Sequence, residues 1–188
     1  MSSRSEILGK IKSLKLEEKP LPETPAFAVS PNLEKSFVHS ILSNKGEIWT
    51  IQELERKIHS GSFPKIYSKL SEFESFSNQD LPSDPREFAD LDLAIIRGQF
   101  GVAENGAIWL EDADIGLRAV PFIAEHLAIL LDRNRLVGNM HQAYQKVGMS
   151  ESGFGLFIAG PSKTADIEQS LVIGAHGAKS LLLILTEG

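Results

Sequence analysis

Strand-like and helix-like segments alternate along this chain, which predicts an α/β layered domain with a largely parallel sheet. Two observations carry the reading. Leu91–Ile96 and Ser180–Leu185 are apolar β-like runs, and tight glycine turns at Gly98, Gly101 and Gly106 separate further short strands at Gln99–Ala103 and Ala107–Leu110. Between such runs lie segments with helical apolar spacing, of which Val137–Val147, stopped by Gly148, is one.

The elements follow in order. Ser5–Leu16 carries Ile7, Leu8, Ile11 and Leu14 as one helical stripe. Lys19–Pro31 holds four prolines and is read as an extended connector, so the first helix docks from outside, on the body of the domain or on a partner. Asn32 caps a helix through Leu33, Phe37, Val38, Ile41 and Leu42 that ends near Gly46. Glu47–Trp49 is a short strand. Thr50 and Glu53 form a capping box for a helix to about His59, closed by Gly61, and Lys65–Ser68 is a further short strand. Phe73–Arg86 is polar and lacks apolar periodicity, which predicts a surface loop. Phe122–Leu131 is apolar enough for a buried strand or a helix segment, and its length does not decide between them. Gly155–Ala159 is β-like, and a short helix is expected at Thr164–Leu171.

At 188 residues the chain is long enough for one sizeable core, with residues 1–31 as an appendage to a domain at 32–188. Hydrophobic residues at 42% and charged residues at 23% are ordinary globular values. The net charge of -6 argues against a broad nucleic-acid surface. No apolar run is long enough to span a membrane, the first residues lack a signal-peptide core, and a cytoplasmic protein is the expectation. The sequence contains no cysteine, which excludes disulfides, thiolate catalysis, cysteine-built zinc sites and cysteine-ligated iron–sulfur clusters in this chain.

Two segments stand out chemically. In the first, the strand-like Phe154–Ala159 stops at Gly160 and Pro161; Ser162, Lys163 and Thr164 follow, and then Asp166 and Glu168. A strand that turns into a helix start with hydroxyls and a lysine suits an anion. Equally, Ser162 or Thr164 caps the helix while the two acids complement its dipole. The second segment is Glu104-Asn105-Gly106, where a carboxylate protrudes at a strand end; a plain Asn-Gly hairpin accounts for the same residues. Arg118 is a candidate fork for a carboxylate or phosphate, or a surface ion-pair partner. His176 lies between Gly174 and Gly177, where backbone can approach a ligand or merely pack. His126 reads as a hydrogen-bonded core histidine, and His39, His59 and His141 as surface positions on helices. No histidines show metal-site spacing.

Gly101-Val-Ala-Glu-Asn-Gly-Ala, Arg118 with Pro121, and Gly160-Pro-Ser-Lys-Thr-Ala-Asp-Ile-Glu followed by Gly174-Ala-His-Gly177 resemble the LUD-domain family of lactate-utilisation proteins, in its lactate utilisation protein C branch. The similarity is strongest over about 94–185. It implies a fold like that of the CoA transferases, ribose-5-phosphate isomerases and glucosamine-6-phosphate deaminases: a mostly parallel central sheet with helices on both faces. It also implies a place in a system that oxidises L-lactate to pyruvate, with iron–sulfur clusters held by cysteine-bearing partners. This chain would then be a non-redox component that binds a small anion, its partners, or both. Glu104-Asn105-Gly106 is similar to the Ser-Glu-Asn-Gly motif of family I CoA transferases, whose glutamate forms a thioester with CoA. Ala103 replaces the serine here, and no matching Gly-x-Gly segment lies upstream. Glu104 is therefore the candidate catalytic residue of an alternative enzyme acting on a CoA-linked or sugar-phosphate substrate; a small-ligand sensor is the third reading. The expected binding residues are Gly160, Pro161, Ser162, Lys163, Thr164, Asp166, Glu168, Arg118, Asn105, Gly106 and His176. No cofactor of its own is expected beyond an unidentified anion or a CoA-like ligand.

Overall fold

In the computed structural model, residues 3–14, 19–20, 22–23, 25–148, 153–165 and 171–188 are described. Five strands form a parallel sheet: β1 (Glu47–Ile48), β2 (Ile66–Ser68), β3 (Leu93–Arg97), β6 (His126–Asp132) and β11 (Ser180–Thr186), in the order β1-β11-β6-β3-β2. The register is continuous: Leu93 and Leu181 pair with His126 and Leu127 of β6, respectively. Because β6 is a strand, the ambiguity at 122–131 resolves within the segment. Pro121 falls inside a one-turn helix α5 (Val120–Ile123), and the chain turns extended at Ala124.

The central strands are apolar except at their end residues, because each face meets a different layer. Leu93, Ile95, Ala128, Leu130, Leu182 and Ile184 face one way and pack with Leu54 of α3 (Ile51–His59) and with Phe73. Helix α3 links β1 and β2 at opposite edges of the sheet, and its N-terminus is fixed by the expected capping box of Thr50 and Glu53. Ala94, Ile96, Leu127, Ile129, Leu181 and Leu183 face the other way. They meet Phe37 and Ile41 of α2 (Leu33–Ser43), Ile115 of α4 (Asp112–Ile115) and the apolar side of a second sheet.

That second sheet has the order β7-β4-β5-β8, with β4 (Phe100–Val102), β5 (Ala107–Glu111), β7 (Leu136–Val137) and β8 (Gly155–Ile158). Alternation along β5 divides the layers: Ile108 and Leu110 join the central core, while Ala107 and Trp109 turn away. Trp109, Phe100, Val102 and Phe157 pack there under Ala143 of α6 (Met140–Val147). Helices thus cover both faces of the parallel sheet, one of them through the second sheet.

Four segments differ from the sequence reading. Val137 belongs to β7, so α6 begins three residues later, at Met140, where Asn139 supplies the cap. Within Phe73–Arg86 the chain makes 3₁₀ turns at Ser71–Phe76 and Pro85–Phe88, and Phe73 is buried, so this loop is anchored to the core. Helix α1 (Ser3–Ser13) forms as expected but buries no residue and leaves Ile7, Leu8 and Ile11 exposed, so of the two alternatives docking on the body of the domain is not seen. Most consequentially, Lys163–Ala165 is strand β9, paired antiparallel with β10 (Leu171–Ile173); Thr164 faces Val172 in register. The helix expected from Thr164 does not start there, because the β-branched Thr164 finds a β-branched cross-strand partner.

Candidate functional site

The hairpin between β4 and β5 positions Glu104. Gly106 has φ +71°, which glycine adopts without penalty, and its N–H donates to the Val102 carbonyl at 2.9 Å. The Ala107 N–H donates to Asn105 Oδ1 at 3.0 Å, so Asn105 and Gly106 serve as turn residues, as the hairpin reading requires. On its other edge the turn is tied to the chain entering α6. The N–H groups of Ala103 and Glu104 donate to the Val137 and Gly138 carbonyls at 2.8 and 3.1 Å. The Glu104 carboxylate therefore lies at the N-terminus of α6, where Oε2 accepts the Met140 N–H at 2.9 Å. Asn139 Oδ1 accepts the Gln142 N–H at 3.0 Å, and Gln142 Oε1 accepts the Gly138 N–H at 2.7 Å. An exposed carboxylate is thus held in one place by the Met140 N–H and the positive end of the α6 dipole.

Glu104 opens onto a cleft of about 640 Å³. One wall is α2, which buries Phe37 and Ile41 and so turns Lys35 with His39, and Ser36 with Ser40, toward the cleft as pairs one turn apart. The opposite wall is the Ala103–Glu104 turn with Gly138, Asn139 and His141. The connector closes a third side. Phe27 stacks on His141, ring centroids 4.5 Å apart and 8° from parallel, and Val29 packs on Gly138 with no room for a side chain there. Three basic side chains (Lys35, His39 and His141) and one fixed carboxylate therefore share one concavity. Asn139, only 7% exposed, is legible as an Asn preceding a helix; Lys35, His39 and Phe27 carry no signal, since only the tertiary fold brings them to Glu104.

The other expected residues distribute around this cleft without lining it. Asn44, at the C-terminus of α2, joins two of the motifs: its Nδ2 donates to the Asn105 carbonyl at 2.7 Å, and Gly160 packs against it. Gly160 has φ +82°, and a Cβ there would come within 2.5 Å of the Asn44 carbonyl oxygen. Gly160 and the adjoining Pro161 are buried. Ser162 bridges to the glycine-rich loop: its N–H donates to the Ala178 carbonyl at 2.8 Å and its carbonyl accepts the Gly174 N–H at 2.9 Å. Lys163 is exposed on β9, with Thr164 beside it; Asp166 and Glu168 lie outside the described residues. His176 lines a different cavity with Asp90, Asp92, Glu125 and Lys179. Arg118 forms a two-pronged pair with Asp112 at 2.9 and 2.8 Å and lies over the Phe154 ring; its guanidinium holds the Asp112 carboxyl below the usual carboxylate range. His126 accepts or donates at 2.7 Å to Ser180 Oγ beside Phe63, the partnered position that its apolar setting predicts. Among the described residues no group of three His, Cys, Asp or Glu side chains converges as a metal site.

The family model of the LUD domain matches residues 13–186, nearly the whole chain. The chain belongs to the LUD-domain family. Among similar LUD-family proteins is the lactate utilization protein C of Bacillus pumilus, 23% identical over 176 residues, which are 87% of this chain and 73% of that one. Lactate utilization protein C of Shouchella clausii is 27% identical over 71% of this chain and 60% of its own length. An uncharacterised protein of Neisseria meningitidis serogroup B is 29% identical over 52% of this chain and 43% of its own. The matched part of the chain thus spans between 43% and 73% of these relatives. A solved structure of a DUF162 family protein from Deinococcus radiodurans superposes with a TM-score of 0.59 over 81% of this chain and 95% of that one; at 17% identity the likeness concerns the fold.

Proposed function

We propose that this LUD domain is a non-redox component of an L-lactate utilisation system and holds a small anionic ligand in the Glu104 cleft. The observation that carries the pathway is the relation to lactate utilization protein C across 87% of the chain. Cysteine is absent from all 188 residues, so a thiolate-ligated iron–sulfur cluster has no ligands here, which supports the non-redox reading. What remains for this chain is binding: of the ligand in the cleft, and of the cluster-bearing proteins that act on lactate. Lys35 supplies positive charge, His39 and His141 supply ring nitrogens for hydrogen bonds, and Glu104 supplies an acceptor already oriented by α6.

The test is affinity purification of the tagged chain from cells growing on L-lactate. Recovery of iron–sulfur proteins with it, and loss of growth on L-lactate when its gene is deleted, are expected. A deletion strain that oxidises L-lactate at the wild-type rate would overturn the pathway assignment.

A further inference from the structure

Resting on the reading of the Glu104 cleft as the ligand site, its size and lining argue against lactate itself as the occupant. Lactate is the size of a few waters, roughly 100 Å³, whereas the cleft holds about 640 Å³. That volume falls within the range of about 300–1,000 Å³ that encloses a drug-sized molecule. The lining also divides by chemistry. Phe27 and His141 form a flat aromatic pair at one part of the wall, and Phe27 remains 49% exposed, with aromatic surface available to a further planar group. Lys35 and His39 form a basic pair on α2 and make no ion pair with a described residue. Between these lies a carboxylate. Glu104 Oε2 is taken by the Met140 N–H, and Oε1 has no partner among the described residues. At Glu104 itself a neutral hydroxyl is accepted where a carboxylate or a phosphate is repelled, as acidic side chains accept ribose hydroxyls in nucleotide sites, so the anionic end of a ligand belongs at Lys35.

We infer that the cleft takes a phosphorylated nucleoside: its base against Phe27 and His141, a ribose hydroxyl on Glu104, and its phosphate on Lys35 and His39. The ligand chemistry is common to a free nucleotide and to the nucleotide end of coenzyme A, and the experiment separates the two.

Isothermal titration of the full chain with ADP, coenzyme A, L-lactate and pyruvate tests the assignment. ADP or coenzyme A binds, and the Lys35→Ala and Phe27→Ala variants each weaken that binding about tenfold, as expected for losing one charge-assisted contact or one stacking face. Both residues are exposed, so folding is not at stake; coincident thermal melts verify this. Tighter binding of coenzyme A than of ADP identifies the conjugate as the ligand, and the reverse identifies the free nucleotide. Nucleotide binding that neither variant weakens, or no nucleotide binding at all, overturns the inference. Heat from lactate or pyruvate alone, lost in Lys35→Ala, overturns the nucleoside assignment and leaves the cleft as the ligand site. A separate readout judges the cleft: undiminished growth on L-lactate with Lys35→Ala and His39→Ala combined would remove it as a functional site.

Discussion

The Glu104 carboxylate accepts the Met140 N–H at 2.9 Å, across 36 residues of sequence. This one bond ties the hairpin of the second sheet to the first turn of α6, and it gives Glu104 a structural task beside any role toward a ligand.

The two tasks separate by substitution. Glu104→Ala removes both the acceptor and the negative charge at the helix start and is expected to cost about 1 kcal/mol in urea unfolding. Glu104→Gln keeps an acceptor and loses only the charge, for a few tenths of a kcal/mol. Both should weaken ligand binding in the cleft. Identical unfolding midpoints for all three proteins would show that the bond does not form in solution.

Gly160 makes the opposite case, a motif residue with a packing role. Its φ of +82° strains any other residue, and a Cβ at this position would sit 2.5 Å from the Asn44 carbonyl oxygen, which leaves no space for alanine. Gly160→Ala should destabilise by roughly 1–3 kcal/mol, read as a lower melting temperature. An unchanged melt would contradict the close approach.

Lys163 and Arg118 lie outside the cleft lining. Alanine at either position should leave ligand affinity in the cleft unchanged. For Arg118→Ala the melting temperature should also stay essentially unchanged, because the Asp112 pair is exposed. A large loss of affinity in Lys163→Ala would move the ligand site to the β8–β9 turn.

One ion pair sets a pH dependence. The Lys179 ammonium, 2.7 Å from Glu125, holds the Glu125 carboxyl below the usual glutamate range, and His126 adds to the effect. A depressed folded-state pKa contributes stability above the unfolded value, and that contribution is lost as the pH falls through the folded one. Glu125→Gln should therefore flatten the acid limb of a stability profile as the pH falls through and below the ordinary glutamate range. The pair is half exposed, so the difference should stay under about 1 kcal/mol. Parallel acid limbs in variant and wild type would show that the pair is absent.

Much of the fold is legible in local pattern. Leu93–Ile96 and Leu181–Ile184 read as strands because every side chain is apolar, and both faces of the sheet prove to be covered. Thr50 with Glu53 and Asn105 with Gly106 behave as their spacing predicts, since capping and tight turns are contracts between residues two or three apart. Thr164 misleads for the complementary reason: hydroxyls after Gly160-Pro161 suggest a helix cap, but the cross-strand partner Val172 lies eight residues on and leaves no local trace.

The sequence by itself determined the family, the α/β class, the lack of thiol ligands and the tight turn at Asn105-Gly106. Tertiary structure alone decided what surrounds Glu104. Lys35 and His39 lie one turn apart on α2, but no periodicity relates them to Phe27 in the proline-rich connector or to His141 in a second helix. They meet because Phe37 and Ile41 must be buried against the parallel sheet and Ala143 against the second sheet. Burying those apolar faces fixes how both helices are rotated, and the rotation determines which polar side chains face the cleft.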